Sequence, residues 1–249
     1  MRHRFFVSPE AISGGTVTFS REIAHQLRNV LRLQPGSEVV VLDGSGREYD
    51  VTLTHLSRDG AAGQVSGQRP CPNEPRISLA LYACLIKGER FEWVLQKGTE
   101  LGVSRFVPVI SERTVLRDPA RVEKRRPRWE RIVREAAEQS RRGRLPVLDQ
   151  AMSFSEACAE SVNLYEWILL PWEEATEGSL NDAARDHATA VERIALIVGP
   201  EGGFTPQEVA QAQDLGIQVV TLGSRILRAE TAAIVAAALV MGALGELGQ

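Results

Sequence analysis

The residues Ile194-Ala195-Leu196-Ile197-Val198 run directly into Gly199-Pro200-Glu201-Gly202-Gly203-Phe204 and then into Thr205-Pro206-Gln207-Glu208. Five consecutive apolar residues, three of them β-branched, suit a strand covered on both faces. Thr205 reads as a helix N-cap, Pro206 as the first helical residue and Glu208 as the acidic partner of a capping box. The stretch is therefore strand, glycine-rich turn, helix. Open α/β sheets bind ligands at the carboxyl ends of their strands. Glycine at 199, 202 and 203 lets the backbone approach a ligand closely, although a tight strand-to-helix turn has the same composition. The turn lacks the Gly-Lys-Ser/Thr ending of a P-loop and the G-x-G-x-x-G spacing of a dinucleotide site.

Working outward, the same grammar repeats. Ile217–Leu222 is a second strand, followed by Gly223-Ser224-Arg225-Ile226-Leu227-Arg228 and a helix over Ala229–Leu247. Two such loops after two strands could wall one pocket. Upstream, Ile77–Ile86, Phe106–Ile110 and Leu164–Leu170 are further apolar strands. Phe91, Val94, Leu95 and Leu101 have helical spacing, as do Trp129, Ile132, Val133, Ala136 and Ala137, with Pro127 near the start of that second helix. Strands alternating with helices predict an α/β domain with a mostly parallel sheet. Residues 1–70 differ. Glu38–Leu42 is a short strand, Asp43-Gly44-Ser45-Gly46 a turn, and Tyr49 to His55 alternates. One helix, capped by Ser20, carries Ile23, Leu27, Val30 and Leu31 as its apolar stripe. Gln68–Pro75, with three prolines, reads as the linker. The boundaries are 1–70 and 76–249.

The chain has 249 residues, 43% hydrophobic and 24% charged, which is globular composition. No apolar run has the length to span a membrane, and no apolar stretch of signal-peptide length opens the sequence. Cys71, Cys84 and Cys158 are far apart and odd in number, which argues against a disulfide framework and for a reducing, cytoplasmic compartment. His3, His25, His55 and His187 have no ligand spacing, and no metal site is expected. The net charge of −3 hides an asymmetry. Residues 113–144 hold 12 basic and 5 acidic side chains, while residues 145–249 hold 4 basic and 15 acidic ones. An Arg-rich block suits a polyanion, because the guanidinium fork donates two hydrogen bonds to a phosphate. A solvated helix face balanced by pairs such as Glu130–Arg134 is the plainer reading.

Together these segments resemble one family. Met1–Phe6, His25–Arg32, Glu92–Val103, Ser111–Arg113, Glu135–Ser140, Gly199–Phe204 and Leu222–Ala232, in that order, are similar to the RsmE family of bacterial 16S ribosomal RNA uridine-N3 methyltransferases. The resemblance covers nearly the whole chain and is loosest over 151–192. It implies a C-terminal SPOUT-type domain with a trefoil knot and an N-terminal PUA-like β-barrel. It also implies a homodimer, S-adenosylmethionine (SAM) as cofactor, and a uridine in the decoding region of 16S rRNA within the assembled small subunit as substrate.

Carried over residue by residue, the resemblance assigns the cofactor to Gly199, Glu201, Gly202 and Gly203 of the first loop. From the second loop it takes Leu222, Gly223, Ser224, Ile226, Leu227 and Arg228. Thr231 and Ala232 open the closing helix, and Leu170 and Pro171 complete the pocket. Arg228 would stabilise charge developing on the base, and Glu230 or Glu201 would accept the imide proton. Arg2, Arg4, Arg28, Arg32, Arg113, Arg141 and Arg142 would grip phosphates. A ribose 2′-O methyltransferase of the same fold and a non-catalytic RNA-binding assembly factor are the alternatives.

Overall fold

The computed structural model describes residues 2–186 and 191–248. It divides into two compact units, one of residues 1–74 with 137–145 and one of residues 75–136 with 146–249.

The first unit is a six-stranded sheet. Its strands are β1 (Arg4–Phe6), β2 (Ile12–Ser13), β3 (Thr16–Phe19), β4 (Glu38–Leu42), β5 (Arg47–Leu56) and β6 (Ala61–Pro70). The order is β1-β4-β5-β6-β3-β2, antiparallel except for β1 on β4. The β5–β6 ladder shifts register at Asp50/Val51 and again at Leu53/His55, as β-bulges do. Strand β4 is apolar from Val39 to Leu42 because both its faces are covered there. Val39 and Val41 join Phe5, Leu27, Val51 and Leu53, while Val40 and Leu42 join Phe6 and Ala137. Helix α1 (Arg21–His25) starts at Ser20, whose hydroxyl accepts the Ile23 N–H. From Gln26 to Val30 the helix widens to a π turn. The expected stripe fails there: Leu27 is buried, but Val30 is rotated out and 65% exposed. The expected linker is also shorter, because β6 pairs as far as Pro70 opposite Arg47.

Residues 137–145, which the sequence reading grouped with 76–249, cluster with this first unit. Glu138 accepts the Phe6 N–H at 3.0 Å. The Glu74 carboxylate accepts the N–H groups of Gly143 and Arg144 and two N–H groups of the Arg142 guanidinium.

The second unit is α/β with a wholly parallel seven-stranded sheet. Its strands are β7 (Ser78–Cys84), β8 (Arg105–Ile110), β9 (Val147–Leu148), β10 (Met152–Ser153), β11 (Trp167–Pro171), β12 (Arg193–Val198) and β13 (Gln218–Val220). The order is β10-β8-β7-β12-β11-β13, with β9 also on β8. Strand β7 explains its apolar run: Leu79, Leu81 and Ala83 face one core, and Ala80, Tyr82 and Cys84 the other. The first face is covered by α2 (Arg90–Glu100), α3 (Pro119–Gln139, of which 119–136 belong here), α5 (Leu180–Asp186) and α7 (Ala229–Ala243). The second is covered by α4 (Phe154–Leu164) and α6 (Pro206–Asp214).

Helices α3, α4, α5 and α7 differ from expectation, which had no helix over Leu180–Asp186. Helix α3 begins well before Pro127, which lies inside it. Asp118 starts it, accepting the Ala120 N–H on its side chain, and buried Val122 anchors the early turns. Helix α4 was not expected, yet Ser153 and Glu156 form a full capping box for it. Helix α7 stops at Ala243 rather than Leu247, and Gly245 (φ +76°) turns the chain away. The small residues of α7 serve close packing: Ala233, Ala236 and Ala237 lie in the unit's own core. A Cβ on Gly102 would press on Met241 of α7 and on Pro75.

Candidate active site

The carboxyl ends of β11, β12 and β13 face one cavity of about 280 Å³. The turn after β12 builds one wall. Its Gly203 N–H bonds Pro200 O at 3.0 Å, with Gly203 at φ +67°. A Cβ there would collide with the Glu173 carboxylate, so only glycine leaves this corner open. Phe204 then plugs into the core against Phe154, with ring centroids 4.9 Å apart. Thr205 and Glu208 form the expected capping box, and Glu208 also accepts the Glu112 N–H at 2.8 Å.

The second wall is the loop after β13. Thr221 Oγ1 accepts the Gly223 N–H at 3.1 Å, and Gly223 sits at φ +106°. Arg228 occupies the N-cap position of α7 with extended backbone angles and no side-chain cap. A third wall follows β11: the Trp172 N–H bonds Val220 O at 3.0 Å, which sets Pro171, Trp172 and Glu173 against the cavity.

The expected cofactor residues divide. Pro171, Gly199, Glu201, Gly203, Leu222, Gly223, Ile226, Leu227, Arg228 and Ala232 line the cavity. Leu170, Gly202, Ser224 and Thr231 do not. Leu170 lies in the core beneath the sheet. Gly202 turns outward, its carbonyl accepting from Arg113 Nη1 at 2.8 Å, and a Cβ there would press on the Arg113 side chain. Arg90, Trp172, Glu173 and Arg225 also line the cavity and were not among the expected site residues.

Arg90 is the most connected of these. Its Nη2 donates to Glu201 Oε1 at 2.5 Å and its Nε to Lys87 O at 3.2 Å. The Lys87 N–H donates to the same Glu201 Oε1 at 2.9 Å. Arg90 Nη1 also lies 3.7 Å from Glu230 Oε2, an atom that is buried without a hydrogen bond. Both carboxylates expected to take a proton are thus counter-ions of one guanidinium.

The expected phosphate ligands differ in availability. Arg28, Arg32, Arg113 and Arg141 are exposed. Arg2 pairs with Glu38 and Asp50 at the surface. Arg4 and Arg142 are corrections, because neither reaches solvent freely. Arg4 pairs with buried Glu48 at 2.6 Å, and Arg142, 3% exposed, is spent on Glu74. His3, His25 and His55 are exposed and His187 lies outside the described residues. Burial pushes the thiols of Cys84 and Cys158 up to about 12, so neither is a thiolate near neutral pH.

A parallel sheet with glycine-rich loops at neighbouring strand ends, joined to a small β unit, defines an RNA methyltransferase of the SPOUT type with a PUA-like unit. An RNA methyltransferase domain matches residues 72–241, and an RNA methyltransferase PUA domain matches residues 19–66. The chain belongs to the ribosomal RNA small subunit methyltransferase E family. It is 38% identical to that enzyme of Synechocystis over 240 residues, covering 96% of this chain and 77% of the relative. The crystal structure of the Neisseria gonorrhoeae enzyme bound to S-adenosyl methionine superposes with a TM-score of 0.89 at 34% identity, over the whole of both chains. A Legionella pneumophila methyltransferase in complex with the same cofactor gives 0.87 at 27% identity, over 98% of each chain. Among the described residues no helix is long and apolar enough to cross a membrane.

Proposed function

We propose that this chain transfers a methyl group from SAM to N3 of one uridine in the decoding region of 16S rRNA, within the assembled small ribosomal subunit. The observation that carries the reading is the cavity at the ends of β11, β12 and β13, lined by the glycine-containing turns after β12 and β13 and by Arg228.

The cavity fits this cofactor. Glycine at 203 makes room for the Glu173 carboxylate, which lies where a Cβ would be and lines the cavity. Leu222, Leu227 and Ala232 offer apolar faces, and the loop backbones offer N–H and C=O groups to an adenine. Glu173 suits ribose hydroxyls or an ammonium, and Arg225 suits a carboxylate. When bound, the sulfonium supplies an already activated methyl group, so no metal is needed for its transfer.

The chain's own residues then have two tasks. They orient the base so that N3 faces the methyl donor, and they stabilise the charge that spreads onto the base carbonyls once the imide proton leaves. Arg228, exposed at the cavity rim, suits the second task; a fixed cation there is worth about 10²–10³ in rate. The base must leave its stack before N3 is reachable. Phosphates of the RNA fall to Arg28, Arg32, Arg113 and Arg141, assisted by Arg2. Residues 1–70 act as the PUA-like RNA-binding domain and 76–249 as the transferase domain, with 137–145 joined to the first. The active species is a cytoplasmic homodimer.

The test is transfer from labelled SAM to small subunits lacking the modification, followed by nucleoside mass spectrometry. 3-Methyluridine is expected with the wild type, and a loss of about 10²–10³ with Arg228→Ala. A 2′-O-methylated product, or none with SAM bound, would overturn the uridine-N3 assignment.

A further inference from the structure

Three segments of the chain meet around one side chain. Arg90 is the first residue of α2, yet its guanidinium reaches past its own helix. It bonds the carbonyl of Lys87, the carboxylate of Glu201 in the β12–α6 turn, and approaches Glu230 in the first turn of α7. Glu201 in turn takes the Lys87 N–H. The cavity is lined by Arg90 and Glu201 themselves, and its second wall leads directly into Glu230.

We propose that Arg90 is the positioning residue of the cofactor cavity: it sets the 199–203 turn through Glu201, and it makes Glu201 and Glu230 its counter-charges rather than proton acceptors. Three observations carry this. First, among the described residues the turn makes one backbone bond of its own, Gly203 N–H to Pro200 O; from outside, Arg113 holds the Gly202 carbonyl, and Glu201 is held from the β7–α2 side. Second, Glu201 Oε1 receives two donors, one of them charged, and such bonds are roughly twice as strong as neutral ones. Both lone-pair directions of Glu201 Oε1 are thereby taken, by the Lys87 N–H and the Arg90 guanidinium. Third, the Oε2 of Glu230 is buried without a hydrogen bond, and the Arg90 guanidinium, 3.7 Å away, is the cation beside it.

Lysine cannot substitute. One ammonium on a shorter stem cannot hold the Lys87 carbonyl, Glu201 and Glu230 together, whereas the planar guanidinium offers five donors in fixed directions.

The inference rests on the SAM reading for its functional half only. Hydrogen exchange tests the structural half on the cofactor-free protein. In Arg90→Gln, exchange is expected to rise at least tenfold at Lys87 and across 199–205, with the β1–β6 sheet unchanged. Unchanged exchange at Lys87 and 199–205 would overturn the proposal, whatever the protein binds. The functional half is read by SAM binding. Arg90→Gln is expected to weaken it at least tenfold, Arg90→Lys to restore only part, and Arg90→Gln/Glu201→Gln to be no weaker than Arg90→Gln alone. Additive losses in the double variant, or full rescue by lysine, would overturn it. Failure of the wild type to bind SAM would overturn the cofactor reading instead, leaving the exchange result to decide the role of Arg90.

Discussion

Arg90 and Glu201 stand 111 positions apart in the chain and 2.5 Å apart in the fold. That pair decides what Glu201 can do. Removing a true general base costs about 10²–10⁴ in rate. Glu201→Gln and Glu230→Gln should instead keep turnover at saturating SAM within about tenfold of the wild type. Glu201→Gln should raise the SAM concentration needed for half-maximal rate. A hundredfold fall in turnover for either variant would restore it as the base.

Gly203→Ala strains a backbone at φ +67° and drives a methyl group into Glu173. A left-handed conformation costs a non-glycine residue about 1–2 kcal/mol. The variant should melt lower and lose SAM binding. The double variant Gly203→Ala/Glu173→Ala removes the collision but not the strain, so it should recover binding in part while staying less stable.

Arg141 and Arg142 are neighbours with opposite fates. Arg141 is exposed, whereas Arg142 is buried on Glu74. Leaving a buried ion pair half-made costs about 3–5 kcal/mol. Arg142→Ala should therefore destabilise the fold, seen as a lower denaturant midpoint. Arg141→Ala should leave the midpoint alone and lower the salt dependence of RNA binding. Each lost phosphate contact should reduce the slope of log K against log salt by about 0.7–0.9.

Acid should loosen the start of α4 only below the ordinary carboxylate range. Hydrogen bonds from the Ser153 hydroxyl and N–H hold the Glu156 carboxyl below its ordinary value of 4.5. A depressed folded-state value gives stability that is fully present above 4.5 and lost as pH falls through the lowered value. Glu156→Gln keeps the cap geometry but has no proton to gain. Its unfolding profile between pH 5 and pH 2 should be flatter than that of the wild type, as followed by circular dichroism.

Cys84 and Cys158 are buried, and burial pushes both thiols up to about 12. Neither should react with a disulfide reagent at pH 8 in the folded protein, and both should react once guanidinium unfolds it. Fast modification of either in the native state would show that the α4 side of the sheet opens.

The strand-turn-helix passages at Ile194–Glu208 and Ile217–Ala232 were legible because period, glycine and capping residues agree there. Pro171, Gly203 and Arg228 reached the cavity as expected. Arg90 and Glu173 escaped notice because their roles depend on which strands are neighbours. The order β7-β12-β11-β13 is set by tertiary packing, and no local pattern encodes it. Val30 was misread because the π turn at Gln26–Val30 rotates it away from the 3.6-residue stripe. Arg142 was misread because a charge block does not reveal which of its members a distant acid such as Glu74 will withdraw.

The bond from the Lys87 N–H to Glu201 spans 114 positions. It sits beside the pairing of β7 with β12, the next strands in space but far apart in sequence. Closing so long a loop is entropically costly before any contact rewards it, and such topologies fold slowly. Until β12 arrives, the apolar edge of β7 has no partner and is open to other chains. The rate of refolding, and the yield against aggregation, should therefore hinge on this one long-range pairing. The cavity should be among the last features of the native state to mature, so the recovery of ligand binding would time the completion of folding.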